Sequence, residues 1–161
     1  MFGNLTTKLY LKWIESKGFQ HGVNFSIEKG ANVDSGFCDF ISCGDNVTLT
    51  KDVYLLAHDA SMKKTLGKTK VGRVVIGNNV FVGAKTVVLP GVEIGDNVVI
   101  GANSTVTKSI PAGEVWAGTP ARFIGFTKDF MQKHQDKMNG KSYSQSEVVD
   151  VLENDKYTYI D

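Results

Sequence analysis

Residues 76–111 read IGNNVFVGAKTVVLPGVEIGDNVVIGANSTVTKSIP. The stretch divides into six hexads. Their first positions are Ile76, Val82, Val88, Ile94, Ile100 and Val106. Their fifth positions are Val80, Thr86, Val92, Val98, Ser104 and Ile110. Glycine often stands second, at Gly77, Gly83, Gly95 and Gly101. An amphipathic helix would show a period of about 3.6 and a simple strand a period of about 2. A period of six fits a coil with flat sides and tight corners. The branched first residue points inward and stacks on its counterparts in neighbouring coils. The mostly β-branched or small fifth residue fits a narrow prism. GNN and GDN supply corner residues that tolerate positive φ. Each coil buries its apolar side against the next, so stability comes from stacking.

Upstream the rhythm continues as CGDNVT (43–48) and LTKDVY (49–54), with Cys43, Leu49 and Leu55 in first position. Before that the register slips, because Ile27 and Val33 fit a frame that Cys43 does not share. Residues 23–42 are read as less regular first coils.

The chain of 161 residues suffices for one domain with a buried core, or one domain and a short appendage. A net charge of +1 gives no global case for nucleic acid. The N-terminal segment lacks the apolar core of a signal peptide, since Lys8, Lys12 and Glu15 interrupt it. No apolar run approaches the roughly 20 residues of a membrane span. A cytoplasmic protein is therefore expected. Cys38 and Cys43, the two cysteines, are too few for a zinc site and are read as reduced, packed thiols.

The flanks differ from the middle. Leu5, Leu9 and Trp13 recur every fourth residue, and Gly18 supplies a stop, so a short amphipathic helix is expected at the start. Thr127 is placed to cap a second helix carrying Phe130, Met131, His134 and Met138 and ending near Gly140. SEVVDVLEN (146–154) suggests a third. The expected organisation is an N-terminal helical cap over 1–22, a repeat domain over 23–125 with a loop at 58–73, and a C-terminal helical extension over 126–161.

The hexads, together with AHDAS (57–61) and VWAGTPARFIG (115–125), resemble the hexapeptide-repeat acetyltransferases. Together these stretches look like the galactoside, maltose and polysaccharide O-acetyltransferase branch. The resemblance covers roughly residues 23–125. It implies a mainly β fold, a left-handed parallel β-helix of three hexads per coil with short terminal helices. It also implies a homotrimer and acetyl-CoA as co-substrate, with no metal. Serine acetyltransferases share the tail but add a long helical N-terminal domain. Sugar nucleotidyltransferases add a Gly-rich nucleotide domain.

At LLAHDASMKKTLGKTKVGR (55–73) the repeat breaks: Leu55 and Ile76 lie 21 residues apart where six would keep the rhythm. His58 begins this excursion, where a side chain can face outward into a cleft. In the resembling family this loop reaches toward a neighbouring subunit, and a histidine there takes the acceptor's proton. The chemistry agrees. Acyl transfer from a thioester to a hydroxyl or amine needs a base that titrates near working pH, and histidine is that residue type. Asp39, 19 residues earlier, is a candidate to orient the imidazole or to bind a sugar hydroxyl, with Asn32 second. Asp34 and Asp59 are read as solvated turn residues.

Gly83–Ala84 and Gly101–Ala102 stand 18 residues apart and so should stack. Two Gly-Ala layers make a low wall with exposed main chain, along which a pantetheine arm could lie. An amide near Ala84 could stabilise the developing oxyanion. The resemblance places Thr107 and Lys108 near the adenosine end and pairs Arg122 with phosphate. Phe81 stands where the family often has a tryptophan lining the site. Lys63, Lys64, Lys68 and Lys70 are read as a solvated basic loop or as attractants for anionic CoA.

The acceptor stays open at this point. A hydroxyl of a sugar or polysaccharide precursor is the leading reading; the amine of a nucleotide-linked amino sugar and a xenobiotic are alternatives. A zinc enzyme of the γ-carbonic anhydrase kind would need three converging histidines, but His21 and His134 are read as lying outside the repeats. A scaffold or binding module is the non-enzyme reading, and it predicts no affinity for CoA.

Overall fold

The computed structural model describes residues 5–138. Short parallel strands, nearly all of two or three residues, form three sheets that are the faces of a prism. Face one stacks Gln20–His21, Ile41–Cys43, Val74–Ile76 and Glu93–Ile94. Face two stacks Ser26–Ile27, Thr48–Leu49, Phe81–Val82 and Val99–Ile100. It ends on an antiparallel hairpin of Glu114–Gly118 and Ala121–Phe126. Face three stacks Asn32–Val33, Tyr54–Leu55, Val87–Val88 and Thr105–Val106. The first coil therefore begins at Gln20, with His21 opposite Cys43, so His21 belongs to the repeats rather than outside them.

The hexad positions occupy the interior as their chemistry requires. Ile76, Val82, Val88, Ile94, Ile100 and Val106 are all buried, and so are the fifth-position residues from Val80 to Ile110. Fully burying a side chain of this size contributes roughly 1.5–3 kcal/mol. Thr86 and Ser104 enter the core because their hydroxyls are satisfied, each donating to the Gly101 carbonyl, at 3.2 and 2.6 Å. Ser104 Oγ also accepts the Gly118 amide at 3.0 Å, which fastens the terminal hairpin to the fourth coil.

The edge between faces one and two is uniform. Asn24, Asn46, Asn79 and Asn97 hold it with φ of 53–57°. Their amides form a ladder, Asn24 to Asn46, Asn46 to Asn79 and Asn79 to Asn97, at 3.0, 3.0 and 3.2 Å. Beside it, Asp45, Asn78 and Asp96 accept the amides of Val23, Asp45 and Asn78 from the coil before each.

The edge from face three to face one is not uniform. Val82 pairs with Ile100, a step of 18 residues. Leu49 pairs with Val82, a step of 33, and Ile27 with Leu49, a step of 22. The excess residues, fifteen and four, both leave the prism after face three, in consecutive coils.

Helix α1 (Leu5–Ser16) precedes the first coil, and Gly18 follows it with φ of 100°. Its anchoring differs from the expected Leu5–Leu9–Trp13 stripe, all three of which are exposed. Ile14 is buried instead, with Tyr10 and Leu11 packed against the core. The reason is polar as well as apolar. Tyr10 Oη accepts the Val33 amide at 2.8 Å and lies 3.3 Å from the Val33 carbonyl, which fixes which side of the helix faces the coil. Burial pushes the Tyr10 hydroxyl's pKa above its ordinary value. His21 adds a second tie, Nε2 lying 2.8 Å from Glu15 Oε1. Helix α3 (Thr127–Met138) begins at Thr127, but the threonine does not cap it as expected, since its Oγ1 is buried with no hydrogen-bond partner among the described residues. Its expected end near Gly140 and the helix expected over 146–154 lie outside the described residues. Among the described residues no helix is long and apolar enough to cross a membrane.

Candidate active site

The two excursions lie side by side on the three-to-one edge. The shorter one turns at Asp34, whose carbonyl accepts the Phe37 amide at 2.9 Å, and continues as a single 3-10 turn, Cys38–Phe40. The longer one opens as an antiparallel pair, His58–Asp59 against Lys70–Val71. A one-turn helix, α2 (Lys63–Leu66), forms its tip and ends at Gly67 with φ of 66°. Asp59 begins the turn by accepting the Ser61 amide at 2.8 Å, and that bond holds its carboxyl below the ordinary range.

His58 is fixed at the base of this hairpin. Gly72 N donates to the carbonyl of the preceding Ala57 at 2.9 Å. Ala57 N in turn donates to Asp34 Oδ2 at 3.1 Å. The same carboxylate oxygen accepts a hydrogen bond from His58 Nδ1. Asp34 is thus buried, 6% exposed, and is not the solvated turn residue expected. Phe37 stacks on the imidazole, with centroids 4.8 Å apart and planes 29° apart. An ionised carboxylate can only accept, so Nδ1 carries the proton in this pair. In the neutral ring, Nε2 then keeps its lone pair. The side chain is 36% exposed, so a buried orienting group holds a ring that still reaches solvent.

The groove candidates form a second set. Gly83 N donates to Ile100 O at 2.8 Å, and a Cβ on Gly83 would lie 2.5 Å from Ala102 N, so Gly83–Ala84 and Gly101–Ala102 do stack. They line the edge between faces two and three, with Phe81 exposed on face two beside them. Thr107 and Lys108 follow the face-three strand Thr105–Val106 and so stand on the three-to-one edge, two coils beyond the His58 excursion. Lys108 Nζ lies 5.1 Å over the Trp116 ring of the terminal hairpin. Arg122 is on the same hairpin, opposite Ala117, and donates to its neighbour's carbonyl at 2.9 Å. His58 and the Gly-Ala wall therefore occupy different edges of one chain.

Asn32 lies exposed on face three, opposite Tyr54. Asp39 is exposed within the 3-10 turn, and the carboxylate that meets His58 is Asp34. The offset has a simple origin. A step of 18 back from His58 reaches residue 40, beside Asp39. The coil step there is 22 residues, which reaches residue 36, close to Asp34 and Phe37. The slip between Val33 and Cys43 carried that signal. Among the described residues no group of three or more His, Cys, Asp or Glu is placed to hold a metal ion.

Comparison with known proteins adds the following. The family model described as "Bacterial transferase hexapeptide (six repeats)" matches residues 73–108. A Dictyostelium discoideum protein named as an acetyltransferase is 35% identical over 129 residues, covering 77% of this chain and 68% of that one. The galactoside O-acetyltransferase of Escherichia coli K12 is 39% identical over 120 residues, covering 70% and 59%. A hexapeptide-repeat acetyltransferase of Vibrio cholerae, solved in complex with acetyl-CoA, superposes with a TM-score of 0.57 at 25% identity, covering 78% and 80%. The chain spans 51–59% of the length of several curated relatives, the galactoside enzyme among them.

Proposed function

The chain belongs to the hexapeptide-repeat acetyltransferases, and we propose that it moves acetyl from acetyl-CoA to a hydroxyl of a sugar or polysaccharide precursor. His58 is the general base. The observation that carries this reading is the ring held by buried Asp34 at the one edge where the prism opens. The named activity of the galactoside relative and the acetyl-CoA bound by the Vibrio neighbour support it.

The chemistry follows from the tautomer. Nε2 accepts the acceptor's hydroxyl proton as the oxygen attacks the thioester carbonyl. The imidazolium so formed is paired through Nδ1 with the Asp34 carboxylate. The tetrahedral oxyanion collapses, the C–S bond breaks, and the Nε2 proton passes to the departing thiolate. Each proton is returned, and no acyl-enzyme forms. Asp34 is a positioning residue here, and a main-chain amide near Ala84 is the candidate oxyanion donor.

The separation of the two sets within one chain supports a homotrimer of left-handed solenoids, with His58 of one copy facing the Gly-Ala wall of the next. Thr107, Lys108 and Arg122 then serve the nucleotide end of CoA, and Phe81 the thioester end. Asn32 and Asp39 remain acceptor-side candidates. Two free, buried cysteines are consistent with a cytoplasmic protein.

The test is thiol release from acetyl-CoA in the presence of saccharides, comparing the chain with His58→Ala. General-base catalysis contributes roughly 10²–10⁴-fold. The variant should lose that much kcat while its acetyl-CoA KM stays near normal. A variant keeping more than about a tenth of kcat would show that another group is the base.

A further inference from the structure

Although the chain carries a net charge of only +1, its loop does not share that balance. Residues 59–73 hold Lys63, Lys64, Lys68, Lys70 and Arg73 against the single carboxylate of Asp59. None of these five cations has a carboxylate within pairing distance among the described residues. Arg73 differs from the lysines in being placed. Its guanidinium lies 5.5 Å over the Phe40 ring. Phe40 meets Phe37 edge-on at 6.1 Å, and Phe37 stacks on His58 at 4.8 Å. One aromatic wall thus carries the candidate base at one end and a fixed, unpaired cation at the other.

Resting on the function proposed above, we infer that the acceptor is an acidic saccharide, bearing a carboxylate or phosphate that Arg73 pairs with while Phe37 lies against the ring being acetylated. The guanidinium fork suits either anion bidentately. Holding it over Phe40 lowers the entropy lost when it pairs. The loop lysines add a field that concentrates such acceptors at the opening. In the proposed reading the phosphates of CoA fall to other cations, Lys108 and Arg122, toward the far end of the solenoid.

The experiment uses the full chain and matched acceptors: galactose against galacturonic acid, and glucose against glucose 6-phosphate. One charge-assisted hydrogen bond is worth about tenfold in an equilibrium constant. At low salt, kcat/KM should favour at least one acidic member by about that factor, and salt should erode the preference. The two pairs also tell a carboxylate from a phosphate. Arg73→Gln should collapse the preference, Arg73→Lys should restore part of it, and neither should change the acetyl-CoA KM. If neutral and acidic acceptors are used equally, this inference fails while the acetyltransferase reading stands. If Arg73→Gln raises the acetyl-CoA KM instead, the cation serves CoA and the inference again fails. If no saccharide is acetylated, both fall together.

Discussion

Replacing Asp34 by asparagine changes one charge and almost no volume. The oxygen that now serves both Ala57 N and His58 Nδ1 can be kept, so the ring should stay where it is. What is lost is the negative charge behind the imidazolium. Asp34 is buried, so water cannot fully replace that charge. Hydrogen bonds to charged groups contribute about 1.5–3 kcal/mol, against about 0.5–1.5 for neutral ones. With the bond kept but its charge removed, the difference of about 1–1.5 kcal/mol is lost from the transition state, roughly five- to tenfold in kcat. The acetyl-CoA KM should change little, because the wall proposed to hold the pantetheine arm is built from other residues. Asp34→Ala should do more. It also strips the partner from the Ala57 amide, in a residue 0% exposed, so about 1–3 kcal/mol of stability should go with the activity. Initial rates of thiol release, fitted for each substrate and read beside a thermal melt, separate the two effects. An asparagine variant that keeps kcat within about twofold, below the range just given, would refute the electrostatic role. An asparagine variant as unstable as the alanine one would show that Asp34 is a brace for the loop.

Three further outcomes are expected. Ala102→Phe should fill the groove, raising the acetyl-CoA KM well above any change in acceptor KM in two-substrate kinetics; an unchanged acetyl-CoA KM in a folded variant would put the groove elsewhere. Gly83→Ala would bring a Cβ to 2.5 Å from Ala102 N and 2.7 Å from Ile100 O, both rigid main chain, so adjacent coils must part. Overpacking of this kind costs about 1–3 kcal/mol, and calorimetry should show a lowered Tm. Burial pushes both thiols up, Cys38 further helped by the Asp34 charge, so a disulfide reagent should label neither until urea unfolds the chain.

Where stacking alone decides position, the residues announce it. Twelve hexad positions from Ile76 to Ile110 went to the core because each coil repeats the one below at a step of 18. The corner asparagines were equally legible, since few other residues hold positive φ readily. His58 stood out by breaking the rhythm. Its partner did not, because contact between Asp34 and His58 depends on a coil step of 22 that no hexad marks. Helix α1 misled for a related reason. Leu5, Leu9 and Trp13 form a regular apolar stripe, yet the side facing the solenoid was chosen by Tyr10 and its bonds to Val33, a residue of a different element. Phe37 and Arg73 carry no motif and became visible through the ring contacts that join them to His58.

The contrast between the edges has a consequence for how such a chain can change. On the edge held by asparagine rungs, every coil spends the same four residues between strands, and each rung bonds to the next. An insertion there would interrupt a ladder shared by four coils. On the edge from face three to face one, four and fifteen extra residues leave and return without disturbing the pairing of Leu49 with Val82 or Ile27 with Leu49. Length can therefore vary at one border of the prism and is forbidden at another. Novelty in what the protein handles can accumulate as exchanged loops along a single seam, while the load of folding is carried entirely by the rest.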